Sequence, residues 1–211
     1  MTIKPKSKMY IITKRIIDVL FALSGLTILS PVFLIVFVLL KFNSPSSPAL
    51  FSQERVGQYG RHFNIYKFRS MVPNAEKILK SDQKLYEKYV ASGYKLPTAE
   101  DPRITKLGAF LRKSTLDEIP QFWNILIGDM SLVGPRPVVA EELVEYGDDV
   151  DLFLSVRPGA LGLWQASGRS LIEYPERSKI ELEYIKNAGF WYDIGIVLKN
   201  VIAIFKSKGA Y

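Results

Sequence analysis

Lys14-Arg15-Ile16-Ile17-Asp18 leads into an uncharged run from Val19 to Leu40, broken near its middle at Ser30-Pro31 and closed by Lys41. A run of that length reads as a membrane segment. It is too long for a signal-peptide core, and no small-residue cleavage site accompanies it. The proline decides its form. Helix from Ile16 to Leu29 would measure about 21 Å and from Pro31 to Phe42 about 18 Å, against a hydrocarbon core of about 30 Å, so neither half crosses alone. Pro31 removes a backbone hydrogen bond and bends the helix, and Ser30 can satisfy the freed carbonyl. Cations lie on both flanks, so the positive-inside rule places both ends on the cytoplasmic side. A re-entrant helix-break-helix is preferred to a kinked span. Asp18 is expected to pair with Arg15 one turn earlier, a structural role.

Downstream, Asn43 to Pro48 is turn-rich, and strand-like runs Ala49–Val56 and Phe63–Met71 flank Gly57-Gln58-Tyr59-Gly60, which predicts a hairpin. Lys67 and Arg69 share one face of the second strand. Between Ala75 and Val90 an apolar stripe predicts one covering helix. An acidic helix is expected over Val138–Tyr146 and a charged one over Pro175–Lys186, with Glu181 and Tyr184 on one face. Ile194–Phe205, with Lys199, Lys206 and Lys208 beside it, suits either a membrane surface or a core. The expected architecture is helix-rich α+β. Residues 1–43 form a basic N-terminus and re-entrant helix, and residues 44–211 one α/β unit with a β-hairpin and interfacial helices.

The chain has 211 residues, a net charge of +7, no cysteine and a single histidine, His62. Disulfides, thiolate nucleophiles and cysteine metal sites are thereby excluded, and a histidine cluster with them. A metal would need carboxylates and water, which favours Mg²⁺ or Mn²⁺ over zinc. The positive charge points to anionic partners such as lipid headgroups or nucleotides. No nucleic-acid-binding motif is present, and neither is a Walker A or dinucleotide fingerprint.

The chemistry concentrates between Arg112 and Pro137. Thr115-Leu116-Asp117-Glu118-Ile119-Pro120 reads as a helix start in which Thr115 and Glu118 form a capping box and Pro120 sits near the first turn. Taken alone, that pattern suits a cap better than a site. Neighbouring helical positions point about 100° apart, so Asp117 and Glu118 cannot act as a symmetric dyad. Arg157-Pro158-Gly159 and Gly162-Leu163-Trp164-Gln165-Ala166-Ser167-Gly168-Arg169 suit close backbone approach to an anion. Asp149-Val150-Asp151 could be taken for a glycosyltransferase metal motif, although a solvated loop is the better reading.

Together these segments resemble the small monotopic phosphoglycosyl transferases, or bacterial sugar transferases. The resemblance rests on Lys14-Arg15-x-x-Asp18, Tyr66-Lys67-Phe68-Arg69-Ser70-Met71, Asp101-Pro102-Arg103, Leu116-Asp117-Glu118-Ile119-Pro120-Gln121, Gly134-Pro135-Arg136-Pro137, Arg157-Pro158-Gly159 and Gly162-Leu163-Trp164-Gln165, in that order. It implies transfer of a sugar 1-phosphate from a UDP-sugar to undecaprenyl phosphate, releasing UMP, at the cytoplasmic face of a bacterial membrane. It also implies Asp117 as nucleophile, Mg²⁺ beside Asp117 and Glu118, and Glu118 serving the metal or the acceptor phosphate. Lys67, Arg69, Arg112, Arg136, Arg157 and Gln165 would bind donor or acceptor. Anionic membrane lipids and a second copy of the chain are further candidate partners. Glu181 stands where the family more often has Asp, which puts a binding role for it in doubt, and Ala160-Leu161 replaces a commoner Ile-Thr. The Trp-Gln-Ala-Ser-Gly-Arg version points to UDP-galactose or UDP-glucose. The larger relatives add an N-terminal membrane bundle, so this chain would be the catalytic unit. A one-step glycosyltransferase releasing UDP and a non-catalytic membrane scaffold are the alternatives.

Overall fold

A computed structural model describes residues 6–92, 94, 96–168 and 171–205. Arg169, Lys206 and Lys208 lie outside the described residues. The apolar run forms two helices, α1 (Lys8–Ile28) and α2 (Ser30–Asn43), bent by 59° at the break. Among the described residues no single helix is long and apolar enough to cross a membrane. Pro31 has no N–H to give the carbonyl four residues back, and the Ser30 hydroxyl donates to that carbonyl, Thr27 O, at 2.8 Å. The bend is thus made by the proline and sealed by the serine.

The hairpin forms as the sequence suggests. Strands β1 (Leu50–Val56) and β2 (His62–Phe68) pair antiparallel, with Leu50 opposite Phe68 and Val56 opposite His62. The covering segment differs from expectation: it is two helices, α3 (Ala75–Ser81) and α4 (Gln83–Ala91). Asp82 adopts an extended backbone between them and accepts the Leu85 N–H at 3.1 Å. A short acidic side chain competes with helical hydrogen bonding and restarts the helix as its cap.

Beyond them lie α5 (Lys106–Lys113), a 3₁₀ turn at Leu116–Glu118, α6 (Gln121–Ile127) and β3 (Ser131–Val133). The expected acidic helix is a 3₁₀ segment, Ala140–Asp149, kinked at Gly147, whose φ is 49°. Short helix α7 (Val150–Phe153) and strand β4 (Gly159–Leu161) follow, then α8 (Leu163–Ser167), α9 (Glu176–Asn187) and α10 (Phe190–Phe205). β4 pairs parallel with β3, so the described residues hold two separate two-stranded sheets among helices. The helix-rich α+β expectation stands.

Charged groups of α1 hold it to this body. Lys14 pairs with Asp193 of α10 at 2.5 Å. Arg15 turns away from Asp18 and donates to Ile125 O and Leu126 O at 2.7 and 2.8 Å, at the negative end of α6. Asp18 is buried and accepts from Ser131 Oγ at 3.0 Å and Leu132 N at 2.8 Å. The expected Arg15–Asp18 pair therefore gives way to two separate anchors, because each side chain meets unpaired backbone groups of the body. Ala22 packs with Ile65, Ile125 and Met130, while Val36 and Leu40 pack with Phe68 and Leu111.

Candidate active site

Asp117 and Glu118 lie in the 3₁₀ turn between α5 and α6. The capping box is not made. Thr115 is left-handed, with φ 61°, and its side chain caps nothing, whereas an N-cap residue needs an extended backbone. Glu118 instead reaches β2 and pairs with Lys67 Nζ at 2.7 Å. An ionic hydrogen bond outweighs a neutral cap. Pro120 does precede the first turn of α6, where its missing N–H costs nothing.

The two acids occupy different environments. Asp117 is 7% exposed. Its burial, joined by the charge of Glu118 and opposed by Lys67 and Arg112, pushes its carboxyl up to about 6. Burial also acts on Glu118, but Lys67, with Arg136 and Gln121 behind it, overcomes that and draws its carboxyl down to about 2. Near neutral pH both are ionised, and Asp117 is the more basic and less engaged.

Neighbouring backbone sets this geometry. Asn124, fully buried on α6, donates to Asn64 O at 2.7 Å and accepts from Tyr66 N at 3.0 Å, extending the β2 edge with a side chain. That fixes the acid pair relative to Lys67. Helix α5 lies so close to the end of β2 that a Cβ on Gly108 would fall 1.8 Å from Ser70 O. The contact brings Arg112 Nε to Ser70 Oγ at 2.9 Å, within the field of Asp117. Asn124 could have been picked out as a polar residue interrupting an apolar pattern; Ser70 stood in the Tyr66–Met71 segment with no role assigned to it.

The glycine motifs also allow a close packing contact inside the body. A Cβ on Gly159 would meet Gly134 N at 2.0 Å, and Gly159 N donates to Pro135 O at 2.8 Å. The close approach is between β3 and β4 themselves, and it places Arg136 and Arg157 on one seam. Neither guanidinium forms an ion pair among the described residues. Gln165 folds back, so that its Oε1 would lie 2.2 Å from a Cβ on Gly162. Arg69 also has other work: it donates to Pro48 O at 2.7 Å and Leu40 O at 3.3 Å, capping α2. The Arg69 N–H still bonds to Ala49 O at 2.9 Å just past the end of β2 at Phe68, but the guanidinium is taken up by those two carbonyls.

Among the described residues no three acid or histidine side chains cluster as a metal cage. Asp149 and Asp151 are exposed. Asp117 and Glu118 fit Mg²⁺, which takes hard oxygens from one or two carboxylates and completes its shell with water and substrate phosphate.

The structure thus holds a bent, apolar helix pair locked to a small α+β body, in which an asymmetric acid pair lies beside separate cationic segments. Residues 9–207 match the model of the bacterial sugar transferase family, and the chain belongs to it. It is 42% identical over 201 residues to the undecaprenyl-phosphate galactose phosphotransferase of Salmonella typhimurium, covering 94% of this chain and 41% of that protein. It is likewise 42% identical over 204 residues to the exopolysaccharide production protein ExoY of Sinorhizobium fredii, covering 95% of this chain and 88% of ExoY. Identity to the UDP-glucose:undecaprenyl-phosphate glucose-1-phosphate transferase of Escherichia coli is 34%, over 97% of this chain and 43% of that enzyme. The chain thus spans about two fifths of the length of the Salmonella and Escherichia relatives.

Proposed function

We propose that the protein moves a sugar 1-phosphate from a UDP-sugar to undecaprenyl phosphate and releases UMP. The observation that carries this reading is Asp117: a buried carboxylate, ionised near neutral pH, with Lys67, Arg112 and Arg136 close enough to bias the acid pair. An Asp117 oxygen attacks the sugar-bearing phosphorus, and the bond from that phosphorus to the bridging oxygen breaks with its electron pair leaving on UMP. An oxygen of the acceptor phosphate then attacks the same phosphorus and the Asp117 carboxylate departs. Mg²⁺, or Mn²⁺, held by Asp117 and Glu118 would neutralise diphosphate charge. Lys67, Arg112, Arg136 and Arg157 bind phosphate oxygens, and Glu118 serves the metal or the acceptor.

The bent pair dips into one leaflet from the cytoplasmic face of a bacterial membrane, so residues 1–43 are the membrane unit and residues 44–211 the catalytic one. In support, α1 and α2 expose Met9, Ile28, Leu34 and Phe42, and α10 exposes Trp191, a broad apolar surface with no protein to cover it among the described residues. The acceptor's phosphate then lies at the depth of the acid pair. The names of the relatives favour galactose or glucose.

Mass spectrometry of the protein mixed with UDP-galactose or UDP-glucose, without acceptor, should show a hexose-phosphate adduct on Asp117 and free UMP. UDP as the sole nucleotide product, or full turnover by Asp117→Asn, would overturn the reading.

A further inference from the structure

We propose that Glu181 is a positioning residue for Arg136, acting through the Arg136 backbone; this rests on Arg136 binding phosphate in the transfer reaction. Arg136 lies between Pro135 and Pro137, neither of which has an N–H, so the Arg136 N–H is the one donor this tripeptide has to anchor it. Glu181 Oε1 accepts it at 3.2 Å. The flanking carbonyls are also tied, Pro135 O by Gly159 N at 2.8 Å and Pro137 O by Arg55 Nη1 at 3.5 Å.

Glu181 is 1% exposed and is itself held on two sides. Tyr146 Oη donates to its Oε2, and Arg177 Nε stands 3.5 Å from Oε1. Arg177 is enclosed between the Trp164 and Tyr174 rings, at 4.6 and 4.7 Å, and pairs with Glu142 at 3.1 Å. Trp164 also carries the Arg136 guanidinium at 5.7 Å. A buried carboxylate is a costly way to fill a core, and an apolar side chain would serve packing better. Here it aims the only anchoring donor of a segment whose guanidinium is left without an acidic partner. Glu181, at 1% exposure, thus acts from behind the Arg136 backbone.

The test is a double-mutant cycle on UMP release by the full chain in detergent. Glu181→Ala should lower kcat/KM for the UDP-sugar by about tenfold, mainly through KM, and by less than about twofold in an Arg136→Ala background. Glu181→Gln, which keeps an acceptor for the Arg136 N–H, should recover most of the loss. If Glu181→Ala fails to fold, Tyr146→Phe replaces it, with a loss expected only where Arg136 is present. Equal fold-losses in both backgrounds would overturn the inference alone. Absence of UMP release from the unsubstituted protein would overturn the transfer reading as well.

Discussion

Asp117→Asn should abolish transfer and at the same time make the protein more stable. Folding moves this carboxyl from an ordinary value of 3.8 up to about 6, chiefly through burial. At ~1.4 kcal/mol per tenfold, holding the charged form inside costs ~3 kcal/mol at neutral pH. The sign follows from proton binding. The native state holds the Asp117 proton more tightly than the unfolded chain, so this residue's contribution makes stability fall as pH rises from about 4 to about 6, and level off above. Asparagine does not titrate and escapes that cost. For a chain of this size ~3 kcal/mol corresponds to a rise in Tm of roughly 6–12 °C. Thermal unfolding in detergent, followed by fluorescence at pH 7.5 and at pH 4.5, measures it. The advantage of Asp117→Asn should shrink at pH 4.5 to ~1 kcal/mol, because most of the native wild-type carboxyl is then protonated. Titrating groups remote from Asp117 are common to both proteins and cancel. An Asn variant that melts lower than wild type at pH 7.5, or an advantage independent of pH, would refute the picture of Asp117 as a charge held at a cost for chemistry.

Lys67→Met removes the cation that most favours the ionised acids. The acid limb of the rate profile, governed by Asp117 near pH 6, should move to higher pH, and kcat should fall by about a hundredfold. Asn124→Ala leaves Tyr66 N and Asn64 O without their partner, so a loss of ~2–4 kcal/mol is expected in denaturant unfolding. Gly108→Ala forces a Cβ against Ser70 O and should lower stability by ~2–3 kcal/mol while displacing Arg112; an unchanged Tm would contradict the close packing. Membrane-impermeant labelling of cysteines placed at Lys8 and at the exposed Glu54, next to Arg55, should succeed only from the cytoplasmic side, and labelling from opposite sides would establish a span.

Much of this molecule is decided locally. Pro31 cannot donate a hydrogen bond wherever it stands in a helix, so the bend, and the serine beside it that takes up the orphaned carbonyl, follow from adjacent residues. The hairpin and the start of α6 at Pro120 are similarly local, as is the exclusion of thiol and histidine-cluster chemistry. The non-equivalence of Asp117 and Glu118 is legible in their being neighbours. What their order along the chain did not contain was the partner of each charge. Glu118 left its cap for Lys67, fifty-one residues away; Arg15 left Asp18 for the end of α6; Arg69 turned to the end of α2. Gly159, read as part of an anion-binding stretch, is pressed against the backbone of Gly134. An ionic side chain satisfies whichever unpaired group folding brings within about 3 Å, and that distance is set by the packing of helices and strands far apart in sequence. The chain therefore announces which chemical groups it possesses, and only the tertiary structure determines which stay free to meet a substrate.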